Sequence, residues 1–426
     1  MNWTELDANV VWHPFTQMKL SGPNIPIVRG EGALLYDDKG NTYIDAIASW
    51  WMNLHGHAHP KLAEALYRQA LRLEHVIFAN FTHEPAVTLA DRLIRLLPDN
   101  QAKIFYSDNG STSVEVAIKM ALQYWHNIGK PRYKIIALEN AYHGDTFGAM
   151  SVGARSTFSK PFDPLLFEVL FIPTPTGKPD CNSLSQLSSY LREYKDQIAA
   201  FIFEPLVQGS GGMLMYPAQS LEELLHACKS EDIICIADEV MTGFGRTGTF
   251  WATSQQPVPA DIYCLSKGLT GGTMALGLTS CTEKIYQAFW SDDRYKALFH
   301  GHSCTANPLA CSVALASLDL TEDEKTWHNI QRIMLSHTEF REKLARYQQV
   351  ENIRQTGVIL AFDIKTDGQT SYFNAIRDRI WNFFIERKLI LRPLGNTIYI
   401  LAPYCITEDQ MNKVYTGIIE FLDQTH

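Results

Sequence analysis

The sequence predicts an α/β fold, built on one large, mostly parallel mixed sheet with a smaller α+β domain beside it. Three observations carry this. Short apolar, β-branched runs recur at about 133–138, 167–172, 199–204, 233–238, 261–266 and 276–281, with helical stretches such as 219–230 between several of them. Alternation of strand and helix over that length calls for parallel pairing. After Asn307-Pro308 the character changes to long helices (about 308–320, 325–347, 371–387 and 407–423) with short strands near 358–364, 389–392 and 397–402. Two of the strand runs also end on chemically useful residues, Asp238 and Lys267, and open α/β sheets bind their ligands beyond the strand ends.

Taken in order, residues 1–60 read as an irregular segment, rich in aromatic, His and Gly residues, that contributes to the smaller domain. Within it, Ala33–Asp45 has the pattern of a hairpin around an Asp/Gly/Asn turn. Residues 61–307 form the expected large domain, opening with helices at about 61–75 and 84–97, the second ending before Pro98. A strand at 103–106 then runs into Ser107-Asp108-Asn109-Gly110-Ser111-Thr112. Apolar residues at Val114, Ala117, Ile118, Ala121, Leu122 and Trp125 follow the i, i+3, i+4, i+7 stripe of a helix. A helix opened by Gly-Ser-Thr either carries a plain hydroxyl cap or offers its first N–H groups to a phosphate. Residues 308–426 form the smaller C-terminal α+β domain.

Composition narrows the function. The 426 residues are 46% hydrophobic and 19% charged, ordinary for a globular protein. A formal charge of −9 without a dense Lys/Arg block argues against nucleic acid as a partner. No apolar run approaches the ~20 residues of a membrane span, and the N-terminus shows no secretory pattern. Eight scattered cysteines without a C-x-x-C read as free thiols of a reducing, cytoplasmic compartment. His55, His57 and His59 lack a neighbouring carboxylate or thiolate set, so no metal site is expected.

An amine and an acid at neighbouring strand ends suit pyridoxal phosphate chemistry: Lys267 could hold the cofactor covalently while Asp238 keeps the pyridine nitrogen protonated. The plainer alternative is a loop lysine and a strand-end cap. Gly243-Phe244-Gly245-Arg246-Thr247-Gly248 matches the spacing of a dinucleotide fingerprint. Its context is wrong, because Thr249-Phe250-Trp251 and the prolines at 257 and 259 cannot open the required helix. It reads instead as a glycine-rich active-site loop.

The run Asp238-Glu239-Val240-Met241-Thr242-Gly243-Phe244-Gly245-Arg246-Thr247-Gly248, followed by Leu265-Ser266-Lys267-Gly268, resembles the hallmark of the class III pyridoxal-phosphate aminotransferases. Glu204-Pro205-Leu206-Val207-Gln208-Gly209 and Asn140-Ala141-Tyr142-His143-Gly144 belong to the same pattern, and the resemblance covers nearly the whole chain. It implies the fold-type I architecture of pyridoxal-phosphate enzymes. Within the class, Trp12-His13-Pro14, Ser49-Trp50-Trp51, residues 114–125, Tyr142 to Ser151 and Thr270 to Met274 are most similar to the members that aminate 8-amino-7-oxononanoate to 7,8-diaminononanoate for biotin. S-adenosylmethionine is then the expected amino donor, with lysine as donor, or another class III ω-aminotransferase, as the alternative.

The resemblance also implies roles. Lys267 is the Schiff-base lysine and proton shuttle; Asp238 pairs with the pyridinium nitrogen; Gly110 and Ser111 bind the phosphate; Tyr142 stacks on the ring. His302 and Ser303 close the phosphate site of the partner in a homodimer, with Gly301 beside the substrate. Trp50 walls the substrate site and Arg392 takes the substrate carboxylate. Two departures stand out. His302-Ser303 replaces the family's Pro-Thr, and Phe15 replaces the Tyr whose hydroxyl contacts substrate, removing a hydrogen bond worth ~1 kcal/mol.

Overall fold

The structure, a computed structural model, describes residues 2–178, 181–366, 374 and 376–424. Its centre is a seven-stranded sheet: β1 Gln101–Ser107, β2 Lys134–Leu138, β3 Leu170–Ile172, β4 Ile198–Phe203, β5 Ile234–Asp238, β6 Ile262–Leu265 and β7 Gly277–Thr282, in the order β1-β7-β6-β5-β4-β2-β3. Only β7 runs against its neighbours, β6 and β1. Every residue of β4, β5 and β6 is buried, as expected for strands covered on both faces. Because β4, β5 and β6 are parallel, the residues that end or follow them, Glu204, Asp238 and Lys267, leave the sheet at one edge. The fold places the chemistry there.

The helix Gly110–Asn127, here α1, follows β1 and starts on a reciprocal cap: Thr112 N–H donates to Asn109 Oδ1 at 3.0 Å while Asn109 N–H donates to Thr112 Oγ1 at 3.1 Å. The helices Pro308–Glu322 (α2), Glu324–Leu344 (α3) and Glu408–Asp423 (α4) make up much of the C-terminal part. An antiparallel sheet of Val350–Thr356, Ile359–Ile364 and Thr397–Ile400 accompanies them. The strand Thr42–Asp45 of the N-terminal hairpin pairs in parallel with Leu389–Ile390, so the first and last parts of the chain share a sheet.

Some boundaries differ from the sequence reading, each for a local reason. The helix expected to reach residue 75 spans Pro60–Ala70, and the Gln69 side-chain amide donates to Leu73 O beyond its end. The strand expected from 167 begins at Leu170, because Phe167 N–H is donated to Ser151 Oγ. Two elements were missed near the N-terminus. Trp3–Val10 is a helix with no buried residue, so no core-facing stripe marks it, and Ile27–Glu31 is a largely exposed edge strand. Part of the helix expected at 371–387 lies outside the described residues; the described helix spans Ile376–Glu386.

Candidate active site

Lys267 follows β6 through Ser266, whose hydroxyl donates to Leu276 O at 2.7 Å. Its backbone has φ 43°, the left-handed region that a side-chain-bearing residue enters only when its surroundings compel it. Leu54 and Phe244 close in on Gly268, where an added Cβ would meet Leu54 Cδ1 at 2.8 Å. The Lys267 ammonium lies 4.6 Å from the centre of the Trp51 ring. Burial pushes it down to about 8, against the upward pull of the Asp238 and Glu204 carboxylates. A buried amine easily freed of its proton is a nucleophile in waiting.

Asp238 closes β5 and is itself buried. Its Oδ2 meets His143 Nδ1 at 2.7 Å, and its Oδ1 accepts Val240 N–H at 3.1 Å. His143 Nε2 is buried and has no hydrogen-bond partner. Glu204, following β4, accepts Tyr142 N–H and Gly209 N–H, each at 3.1 Å. Burial pushes its carboxyl up to about 7. Burial likewise raises the Tyr142 phenol, helped by Asp145.

These groups surround a cavity of about 460 Å³ that also touches Gly110, Ser111 and Gly144. Here the glycines mark close approach. A Cβ on Gly144, which has φ +132°, would fall 2.1 Å from Ser111 Oγ, and one on Gly110 would fall 2.7 Å from Val240 Cγ1. Ser111 Oγ accepts Asp145 N–H at 3.2 Å. The cavity is therefore lined by an amine, by carboxylates and by a helix N-terminus suited to an anion.

The remaining expected residues lie outside that cavity's lining. Phe15, Trp50 and Arg392 do come together: the Phe15 and Trp50 ring centres are 5.4 Å apart, edge to face, and the Arg392 guanidinium lies 4.8 Å from the Trp50 ring centre. Phe158, which the sequence reading passed over, extends the row at 5.8 Å from Phe15. Gly301, His302 and Ser303 sit in a separate loop. There His302 N–H is donated to Thr305 Oγ1 at 3.1 Å, so the extra donor gained over proline is already used within the loop. The loop Gly243–Gly248, read as a glycine-rich active-site loop, borders the site from behind: Phe244 lies against Gly268. Gly245 packs against Ile330 and Tyr404, and Gly248 against Met334. Buried Arg246 donates to Ala402 O at 2.9 Å and Trp51 O at 3.3 Å.

The family model for class III aminotransferases matches residues 17–422. The chain belongs to the class III aminotransferase family. It is 46% identical over 422 residues, 97% of this chain and 98% of the relative, to the adenosylmethionine-8-amino-7-oxononanoate aminotransferase of Synechococcus elongatus. To the enzyme of the same name from Helicobacter pylori it is 37% identical, covering 99% and 98%. The crystal structure of the namesake from Methanocaldococcus jannaschii superposes with a TM-score of 0.92 at 36% identity, covering 98% of each chain. An amine transaminase from an uncultivated Pseudomonas species, solved with pyridoxal phosphate bound, gives 0.92 at 29% identity over 98% and 99%.

The cofactor of a class III aminotransferase is pyridoxal phosphate, and the residues present fit it. The cavity offers a buried amine, a buried carboxylate and a glycine-lined recess beside Ser111. Sequence reading found Lys267, Asp238, Gly110, Ser111 and Tyr142 among its walls and gave Glu204 and Asp145 no role there. The signal for Glu204 was available: it follows a buried apolar strand, as Asp238 ends one.

Proposed function

We propose that this class III aminotransferase moves an amino group to 8-amino-7-oxononanoate, giving 7,8-diaminononanoate in biotin biosynthesis, with S-adenosylmethionine as donor. One observation carries the reading. A buried amine–carboxylate edge stands in the same chain as an aromatic row ending in Arg392, and that chain matches relatives named for this reaction over nearly their full length. The acceptor is an apolar chain with a carboxylate at its far end. Aromatic rings suit its methylenes, and guanidinium suits its carboxylate. Phe15, lacking a hydroxyl, leaves the donor the less constrained substrate, and lysine is the alternative.

Pyridoxal phosphate supplies the electron sink that lets a proton leave the carbon bearing the amine. Lys267 would hold it covalently, and its amine, when free, would carry the proton to and from that carbon. Asp238, fixed by His143, would keep a proton on the ring nitrogen. Gly110 and Ser111 would hold the phosphate, and Tyr142 would cover the ring. His302 and Ser303, with Gly301 beside the substrate, serve the site of the partner in a homodimer. Eight free cysteines support a cytoplasmic setting.

The test is one half-reaction in reverse. Cofactor-loaded protein mixed with 7,8-diaminononanoate, without a donor, should show the absorbance change of cofactor that has taken up the amine. Trials of S-adenosylmethionine and lysine then choose the donor. Protein that visibly holds cofactor but converts only with other amines would return the chain to the broader ω-aminotransferases.

A further inference from the structure

Glu204 lines the same cavity as Lys267 and Asp238, yet no step above uses it. It is fully buried at the end of the strand β4, and its bonds are directional. Oε2 accepts the N–H of Tyr142, Oε1 accepts the N–H of Gly209, and its main-chain oxygen accepts the Tyr216 hydroxyl at 2.5 Å. Gly209 in turn lies against the wall: a Cβ there would meet Trp51 Cζ3 at 3.0 Å and Met241 Cε at 3.1 Å. One carboxylate thus ties the loop bearing Tyr142 and the loop backing Trp51 to the sheet edge that carries Lys267.

We propose that Glu204 is a positioning residue that both fixes these two loops and, by its negative charge, holds the proton on the Lys267 nitrogen. The inference rests on the proposed placement of the cofactor on Lys267. The charged and titratable groups facing Glu204 are His143 and Asp238 beside it, Tyr142 and Tyr216 on the loops it anchors, and Lys267, on which the Arg246 charge acts in the opposite sense. Burial leaves Glu204 titrating at about 7, so its charge is present above neutrality and lost below. Above neutrality that charge adds to the pull of Asp238 on the Lys267 proton.

The experiment is a pH titration of the cofactor's absorbance in the loaded enzyme, whose midpoint follows the proton on the Lys267 nitrogen. Glu204→Gln removes the charge at nearly constant shape and should lower the midpoint by on the order of one pH unit. Glu204→Asp keeps the charge and should leave the midpoint near that of the native enzyme. A purely structural role would lower the melting temperature of both variants without moving the midpoint. A Gln variant that loads cofactor and titrates like the native enzyme overturns the proposal, as does an Asp variant shifted as far as Gln. Should the Gln variant not fold, infrared difference spectra of the native enzyme across neutrality decide. A buried neutral carboxyl should be seen on the acid side only, and its absence overturns the proposal. Failure of any protein, native included, to load cofactor on Lys267 would instead overturn the reading of the site.

Discussion

At the scale of single residues, the site depends on groups held where water would not leave them. Lys267 is an amine inside a cavity, on a backbone with φ 43°. Lys267→Ala should therefore keep the fold, lose turnover by several orders of magnitude and lose the absorbance of covalently held cofactor; near-native turnover would refute its assignment. Arg392 tests the proposed contact with the substrate carboxylate. Arg392→Lys keeps the charge but loses the flat guanidinium lying over Trp50. It should raise KM for the keto acid about tenfold while changing kcat less, the pattern of lost substrate binding. The reactive pair was legible in the sequence because both residues meet the ends of apolar strand runs. Glu204 shares that position after an apolar strand run, but its approach to Lys267, like that of Trp51, exists only once separate elements are brought together.

At the scale of elements, two hydrogen-bonded junctions stand out, one beside Trp51 and one within the C-terminal part. In the turn before Trp51, Ala48, Ser49 and Trp51 all have positive φ, at 49°, 59° and 68°. The buried Asp45 carboxylate secures it, accepting Ile47 N–H at 3.1 Å and Ser49 N–H at 2.7 Å and meeting His57 Nε2 at 2.8 Å. The second junction is His337 on α3, fully buried, whose Nδ1 meets the Tyr415 hydroxyl of α4 at 2.7 Å and whose Nε2 meets Val358 O at 3.2 Å. Burial pushes His337 down to about 4. The unfolded chain thus binds its proton first, near the ordinary histidine value of about 6.5. Stability from this residue is complete above that value, falls as pH drops toward about 4, and is constant below. His337→Gln should flatten the loss of melting temperature over that window; an unchanged acid limb would show that another group, such as buried His55, dominates it. The helical stripes behind these junctions were legible from periodicity. The helix Trp3–Val10 was not, because nothing in the described chain buries it.

At the scale of the molecule, the described chain leaves large aromatic residues in solvent where a globular monomer would cover them. Trp290 is 70% exposed, Tyr295 88% and Phe299 71%, all in the stretch of chain that leads into the His302–Ser303 loop, and Trp12 near the N-terminus is 88% exposed. Exposed aromatic patches of this kind mark interfaces, and the proposed homodimer gives them a partner. A solution mass of twice the chain is expected. Burying one phenylalanine contributes about 1.5–3 kcal/mol, and in a symmetric dimer a single substitution removes that contribution twice. Phe299→Glu should therefore shift the protein toward single chains in sedimentation. Because His302 and Ser303 are proposed to close the partner's phosphate site, it should also weaken cofactor retention in parallel with dissociation. Cofactor loss without dissociation would place the effect within the chain's own loop. A dimer that persists with cofactor held as firmly as before would move the interface away from residues 290–303 and leave that aromatic surface for some other contact.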